Sequence, residues 1–215
     1  MCGRFSMSNY SDFNERFEIG PPPGARPRYN IAPSQDILAI VGGDSPRAVY
    51  FKWGLIPFWA KESFKGLINA RAETVDKKPS FRHSFRGKRC LIPADGFYEW
   101  AGEAGKKTPY RIVLKDNGMF AFAGLWDVWT SREGKTINTC TIITTEANTL
   151  IEPIHNRMPV ILRREEEGIW LRKDIDAPEL KKLLKPYPSE GMESFQVSTK
   201  INNFRNDIPE VLNPL

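Results

Sequence analysis

The chain has 215 residues, 40% hydrophobic and 12% aromatic, with 13 Phe, 6 Tyr and 6 Trp; that apolar mass supports one packed domain over residues 1–215 and excludes wholesale disorder. Lys and Arg number 31 against 26 Asp and Glu, and the net charge of +5 suits a polyanionic partner. Three Cys are too few and too odd a set for a disulfide framework, which points to a reducing, cytoplasmic setting, and no apolar run approaches the ~20 residues that a membrane helix needs.

Met1 to Ser11 is polar and lacks a signal-peptide core. Ser11 is placed to cap a short helix through Phe17, with Phe13 and Phe17 on one face. Gly20 to Pro27 is a loop. Ile37 to Val41 and Arg47 to Trp53 read as strands joined by a turn at Gly42-Gly43, with Val49, Phe51 and Trp53 alternating on one side. Strand alternation in Ile68 to Glu73 puts Asn69, Arg71 and Glu73 on one face. From Lys77 to Arg89 there are six basic residues and no acidic one. A short helix beginning at Pro79 would turn Phe81 and Phe85 to the core and Arg82 and Arg86 to a neighbouring face, which suits either a phosphate backbone or plain solvent. Further strands are expected at Cys90 to Ile92, Phe97 to Trp100, Tyr110 to Leu114, Met119 to Ala123, Thr139 to Thr144 and Val160 to Leu162. Helical pattern returns at Glu165 to Arg172 and Pro178 to Leu184. Strands that cluster without regular intervening helices predict an α+β fold, a curved or barrel-like and mainly antiparallel sheet with peripheral helices.

The chain contains no phosphate-binding G-x-x-x-x-G-K-[ST], no G-x-S-x-G elbow and no H-E-x-x-H. With two His and no C-x-x-C pair, no metal site and no cofactor is expected. Cys2 is the unusual residue. Its small side chain permits removal of Met1, which would leave a free α-amine two carbons from a thiol. An α-amine of pKa ~7.7–8.0 is far more often neutral than a lysine at pH 7, and a thiol near ~8.5 is partly available. Such an aminothiol can attack an acyl carbon, or condense with an aldehyde as an imine that the thiol closes to a thiazolidine. Glu99 follows a turn and shares a strand face with Phe97, where a carboxyl is either paired or raised in pKa and fit for proton transfer. His155 lies between Pro153 and Pro159 in a loop beside Arg157, a position open to catalytic or structural use.

MCGRF at the start, RYNIAPSQ (Arg28 to Gln35), WGLIP (Trp53 to Pro57), INARAET (Ile68 to Thr74), RCLIPADGFYEW (Arg89 to Trp100) and IHNRMPVIL (Ile154 to Leu162) stand in the order found in SRAP proteins. By these segments the chain resembles the SOS-response-associated peptidase family nearly throughout, as a single SRAP domain. The resemblance implies an enzyme, lyase- or hydrolase-like, that cross-links itself to abasic sites in single-stranded DNA through a reversible thiazolidine at Cys2. It further implies that Asn69 holds the attack geometry, Glu99 shuttles protons and His155 opens the sugar ring. Arg4, Arg71 and Arg157 would bind phosphates, Trp59 would stack on a base, and Asn30 with the Pro33-Ser34 loop would shape the site. Two positions depart from the family pattern. Asn156 replaces the frequent aspartate after the histidine, and Pro79 replaces an arginine, which shifts a phosphate contact to Lys78 or Arg82. The peptidase label refers to removal of residues ahead of Cys2, here Met1 alone. The implied partner is single-stranded DNA, with a nucleoid location when bound and no membrane. Two other readings stay open: an N-terminal-nucleophile amidohydrolase, since that class also begins Met-Cys-Gly, and a non-catalytic single-strand binder.

Overall fold

A computed structural model describes residues 2–42, 45–103 and 106–215, so Met1 and Gly43 of the expected turn lie outside the described residues. In chain order the elements are β1 (Phe5–Met7), α1 (Phe13–Phe17), β2 (Arg28–Ile31), β3 (Asp36–Val41), β4 (Arg47–Trp53), β5 (Asn69–Arg71), α2 (Arg82–Gly87), β6 (Arg89–Ala94), β7 (Gly96–Ala101), β8 (Thr108–Leu114), β9 (Phe120–Thr130), β10 (Thr136–Glu146), β11 (Arg157–Pro159), β12 (Ile161–Leu162), α3 (Arg164–Leu171), α4 (Ala177–Lys182) and β13 (Met192–Gln196). Strands β10, β4, β3, β6 and β9 close into a ring, because β10 pairs with β4 on one side and β9 on the other. The β10–β4 and β10–β5 pairings are parallel and the rest of the ring is antiparallel. A second, antiparallel sheet runs β13-β8-β7-β1-β2. The α+β, barrel-like reading therefore holds.

The two sheets meet through aromatic packing. Phe5 of β1 sets its ring edge-on to Trp53 at 5.3 Å and to Phe122 at 5.7 Å, and all three are buried. This contact fastens the short β1, and with it Cys2, to the barrel. The other face of β7 is covered too: Tyr98 packs against Val197, Ile201 and Val211 of the C-terminal segment.

Several boundaries differ from the sequence reading for physical reasons. Strand β9 runs well past Ala123, because Gly124 is not a stop; a Cβ there would meet the Cys90 sulfur at 2.8 Å. Ser11 does not cap α1, since its hydroxyl bonds Asn9 and Asp12 instead. Helix α2 begins at Arg82 after a series of turns, yet Phe81 and Phe85 are buried and Arg82 and Arg86 exposed, as the spacing requires. Of the expected Val160–Leu162 strand only Ile161–Leu162 forms, as β12, and the unexpected β11 (Arg157–Pro159) precedes it. Strands β1, β2 and β13 carry too few residues to show a period and were not legible. Among the described residues no helix is long and apolar enough to cross a membrane.

Candidate active site and nucleic-acid face

The β1–β7 register places Phe5 opposite Phe97, and the ladder continues as Tyr98 donates its backbone N–H to Arg4 at 2.9 Å. Continuing the antiparallel register brings Cys2 and Gly3 alongside Glu99 and Trp100. Cys2 is 0% exposed, and its thiol is pushed well up by burial and then by the charge of Glu99, so it rests as S–H. Glu99 is 3% exposed, and burial raises its carboxyl above the usual range. Burial thus disfavours the charged form of both groups.

The second half of the site comes from the barrel. Asn69 opens β5, opposite Ile142 of β10, and neither its amide nitrogen nor its oxygen finds a partner among the described residues, although both are buried. The link to β1 is short: Trp53, against which Phe5 packs, donates its indole N–H to the carbonyl of Ile68 at 2.9 Å. His155 accepts the Arg157 backbone N–H at Nδ1, 2.9 Å away, so the neutral ring carries its proton on Nε2. Burial lowers the imidazole pKa and Lys107 adds to the effect, while the backbone hydrogen bond with Arg157 opposes it. Lys107 also opposes the upward shift of Glu99. One cation thus acts on both groups, which ties the two halves together electrostatically. Lys107, at the foot of β8, carried no signal in the sequence.

The arginines divide into committed and open ones. Arg4 donates through one nitrogen to Asn30 and to the carbonyl of Ile201, each at 2.7 Å, and lies 5.7 Å over the Trp100 ring. Its Nε remains buried without a partner among the described residues. Asn30 is 0% exposed and its amide nitrogen donates to Ile201, Asn203 and Asn206. Asn30 thus braces Arg4 and the C-terminal segment from within the fold. Arg157 forks Glu73 at 2.5 and 3.0 Å and donates to Thr144 O at 2.7 Å. That pairing also corrects the shared face of Asn69, Arg71 and Glu73, because β5 ends at Arg71 and Glu73 lies in the following turn. Arg71, Lys78 and Arg82 are exposed.

Trp59 is 50% exposed on a loop that leaves at Leu55 and returns at Leu67, which bridge each other two residues before Asn69. Gly54 and Gly66 let the loop ends cross closely: a Cβ on Gly66 would lie 2.5 Å from the Gly54 carbonyl oxygen. Three ties hold the loop to the barrel. Thr139 accepts the Ile56 N–H at 2.9 Å, Asp127 accepts the Phe58 N–H at 2.9 Å, and Trp129 donates to Ala60 O at 2.8 Å. Asp127 is buried and also receives Lys88 at 2.6 Å. Phe58, 52% exposed, sets its ring 5.1 Å from His83 of α2, so the aromatic loop lies against the basic helix. Phe58 and Asp127 escaped the sequence reading. The first is one of 13 Phe in the chain, and the second gains its role only through bonds to Phe58 and Lys88, 69 and 39 residues away.

A profile of the SOS response associated peptidase (SRAP) family matches residues 1–204. The chain is 49% identical over 221 residues to the abasic site processing protein YoqW of Bacillus subtilis (strain 168), covering 99% of each. It is 33% identical over 226 residues to the abasic site processing protein HMCES of Gallus gallus, covering 88% of this chain and 67% of that protein. A crystal structure of a protein from Bacteroides thetaiotaomicron superposes along the whole of both chains with a TM-score of 0.89 at 31% identity. The chain belongs to the SRAP family.

Proposed function

We propose that this protein processes abasic sites in single-stranded DNA by linking Cys2 covalently and reversibly to the ring-opened sugar. Removal of Met1 frees the Cys2 α-amine, which adds to the sugar C1 aldehyde. The resulting carbinolamine loses its hydroxyl as water when Glu99, whose carboxyl burial raises in pKa, supplies the proton. The Cys2 sulfur then adds to the imine carbon, and its proton passes to the imine nitrogen to close the thiazolidine. The sum is aldehyde plus aminothiol giving ring plus one water, with no oxidant or reductant. The buried thiol gives up its proton as the sulfur attacks, and that proton ends on the ring nitrogen. His155, with Nε2–H and a depressed pKa, acts on the sugar ring that must open before attack. Asn69 offers its open amide to the sugar oxygen and the amine. Arg71, Arg157, Lys78 and Arg82 take phosphates, and Trp59 stacks on a base.

The observation that carries this reading is the pairing of a buried thiol with a buried carboxyl, which the β1–β7 register brings side by side. The relatives' names support the lesion class. Cys2→Ser separates the two groups of the nucleophile. The variant keeps the amine and should give an imine that borohydride traps on abasic single-stranded DNA, with little stable adduct untreated. A variant that accumulates adduct as the parent does, without borohydride, would remove the sulfur from the mechanism.

A further inference from the structure

Past the Met7 end of β1, on a part of the molecule that includes none of Cys2, Asn69, Glu99 or His155, lies a cavity of about 330 Å³. Its floor is apolar, built by Phe5, Ile31 and Ile37. Its rim carries Tyr10, Tyr50, Arg26 and Asp36. Neither tyrosine hydroxyl has a hydrogen-bond partner among the described residues, and Arg26 makes no hydrogen bond or ion pair there. Arg28, which also lines the cavity, is spent on Asp207 and on Gln35. A few convergent, uncommitted polar groups around an apolar floor are the marks of a small-molecule site, and the volume falls in the range such sites occupy.

The chemistry of the rim narrows the occupant. Burial pushes the Tyr10 phenol up to about 12 and that of Tyr50 in the same direction, so both are O–H donors at neutral pH. Arg26 supplies a cation for an anion, with a planar fork that matches phosphate. Asp36 is the one carboxylate on the lining, and it can only accept. A ligand satisfying all four needs a flat apolar body, an N–H edge and a separate anion. A fatty acid lacks the N–H edge and inorganic phosphate lacks the body. We propose that this cavity binds a deoxynucleotide, its base on the apolar floor with the amino edge to Asp36 and its phosphate on Arg26 and the tyrosine hydroxyls. The nucleotide comes either free or as a unit of a bound strand.

The test uses the full-length protein as its Cys2→Ala variant, which blocks cross-linking and so makes the outcome independent of the covalent reading. Deoxyadenosine monophosphate is titrated while amide shifts are followed by NMR. Saturable shifts at Gly24, Leu38 and Tyr50 are expected. Arg26→Glu, on an exposed loop, and Tyr50→Ala, on a side chain 38% exposed, should each weaken binding about 10-fold, the size of one lost charge-assisted hydrogen bond. A base-bearing oligodeoxyadenylate that competes for the same amides assigns the site to a strand. One that leaves them unmoved assigns it to free nucleotide, and either result supports the site. Non-saturable shifts, shifts confined to the Trp59 loop and α2, or equal binding of inorganic phosphate and hexyl phosphate would overturn it.

Discussion

Asn69 is the residue at which stability and function part most cleanly. Two buried polar atoms without partners cost of order 1–3 kcal/mol each, and replacing such a group by an apolar one is often neutral or stabilising. Asn69→Ala should therefore leave the thermal midpoint unchanged or raised while slowing adduct formation about 10²-fold, measured by unfolding and by gel-resolved cross-linking on one preparation. A loss of stability would mean that the amide is paired after all. Glu99→Gln keeps the shape of its side chain and removes its exchangeable proton; adduct formation should slow modestly and reversal by about 10²-fold. His155 gives the pH dependence. Its pKa is lowered from 6.5, so the neutral ring persists through that pH and is lost only below it. Adduct formation should hold through the ordinary imidazole range and fall on its acid side, and His155→Ala should abolish that limb in a pH–rate profile. Cys2, Glu99 and His155 stood out in the sequence because they lie in the motifs that carry the SRAP resemblance. Lys107 and Asp127 did not, because a surface lysine and a strand aspartate acquire meaning only from what folds against them.

At the scale of elements, the loop from Leu55 to Leu67 and helix α2 make up the face proposed to meet nucleic acid. Asp127 holds Phe58 by its backbone and Lys88 by charge, so it positions the loop without needing to touch a strand. Asp127→Asn should weaken single-strand binding about 10-fold in a fluorescence titration, with little change in adduct rate once DNA is saturating. Salt tests the arginines. Each phosphate contact contributes a slope of about −0.7 in log affinity against log salt, so Arg71→Ala should flatten the slope by that amount. Arg157 differs because its fork already holds Glu73, and a phosphate must displace that carboxylate. Glu73→Gln should tighten binding, whereas a face in which Glu73 plays no part would leave affinity unchanged. The basic helix was legible from the spacing of Phe81, Phe85, Arg82 and Arg86, which declares both a buried and an exposed face. The pairing of Glu73 with Arg157 was not, since 84 residues separate them.

Across the whole molecule, a closed five-stranded ring carries β5 and β11, a second sheet carries β1 and β7, and the site forms where they meet. Phe5 is the joint, wedged against Trp53 and Phe122. Phe5→Ala should cost about 3–5 kcal/mol, read from denaturant midpoints, and should impair Cys2 chemistry beyond what stability explains, because Phe5 is the aromatic contact of β1 with the barrel. The α+β class and curved sheet were legible from clustered strands, but ring closure was not: the parallel β10–β4 pairing joins segments with β5 to β9 between them. The C-terminal segment was equally silent, and yet Ile201 accepts from both Arg4 and Asn30 and covers Tyr98. The central claim is that an N-terminal aminothiol at Cys2 captures the abasic sugar as a closed ring. Its most direct measurement is the intact mass of the purified protein before and after mixing with single-stranded DNA bearing one abasic site. The account predicts a free protein lacking Met1, and an adduct whose mass is the sum of protein and DNA less one water, formed without any reductant. Active protein that retains Met1, or an adduct of that mass formed by Cys2→Ala without reductant, would contradict it.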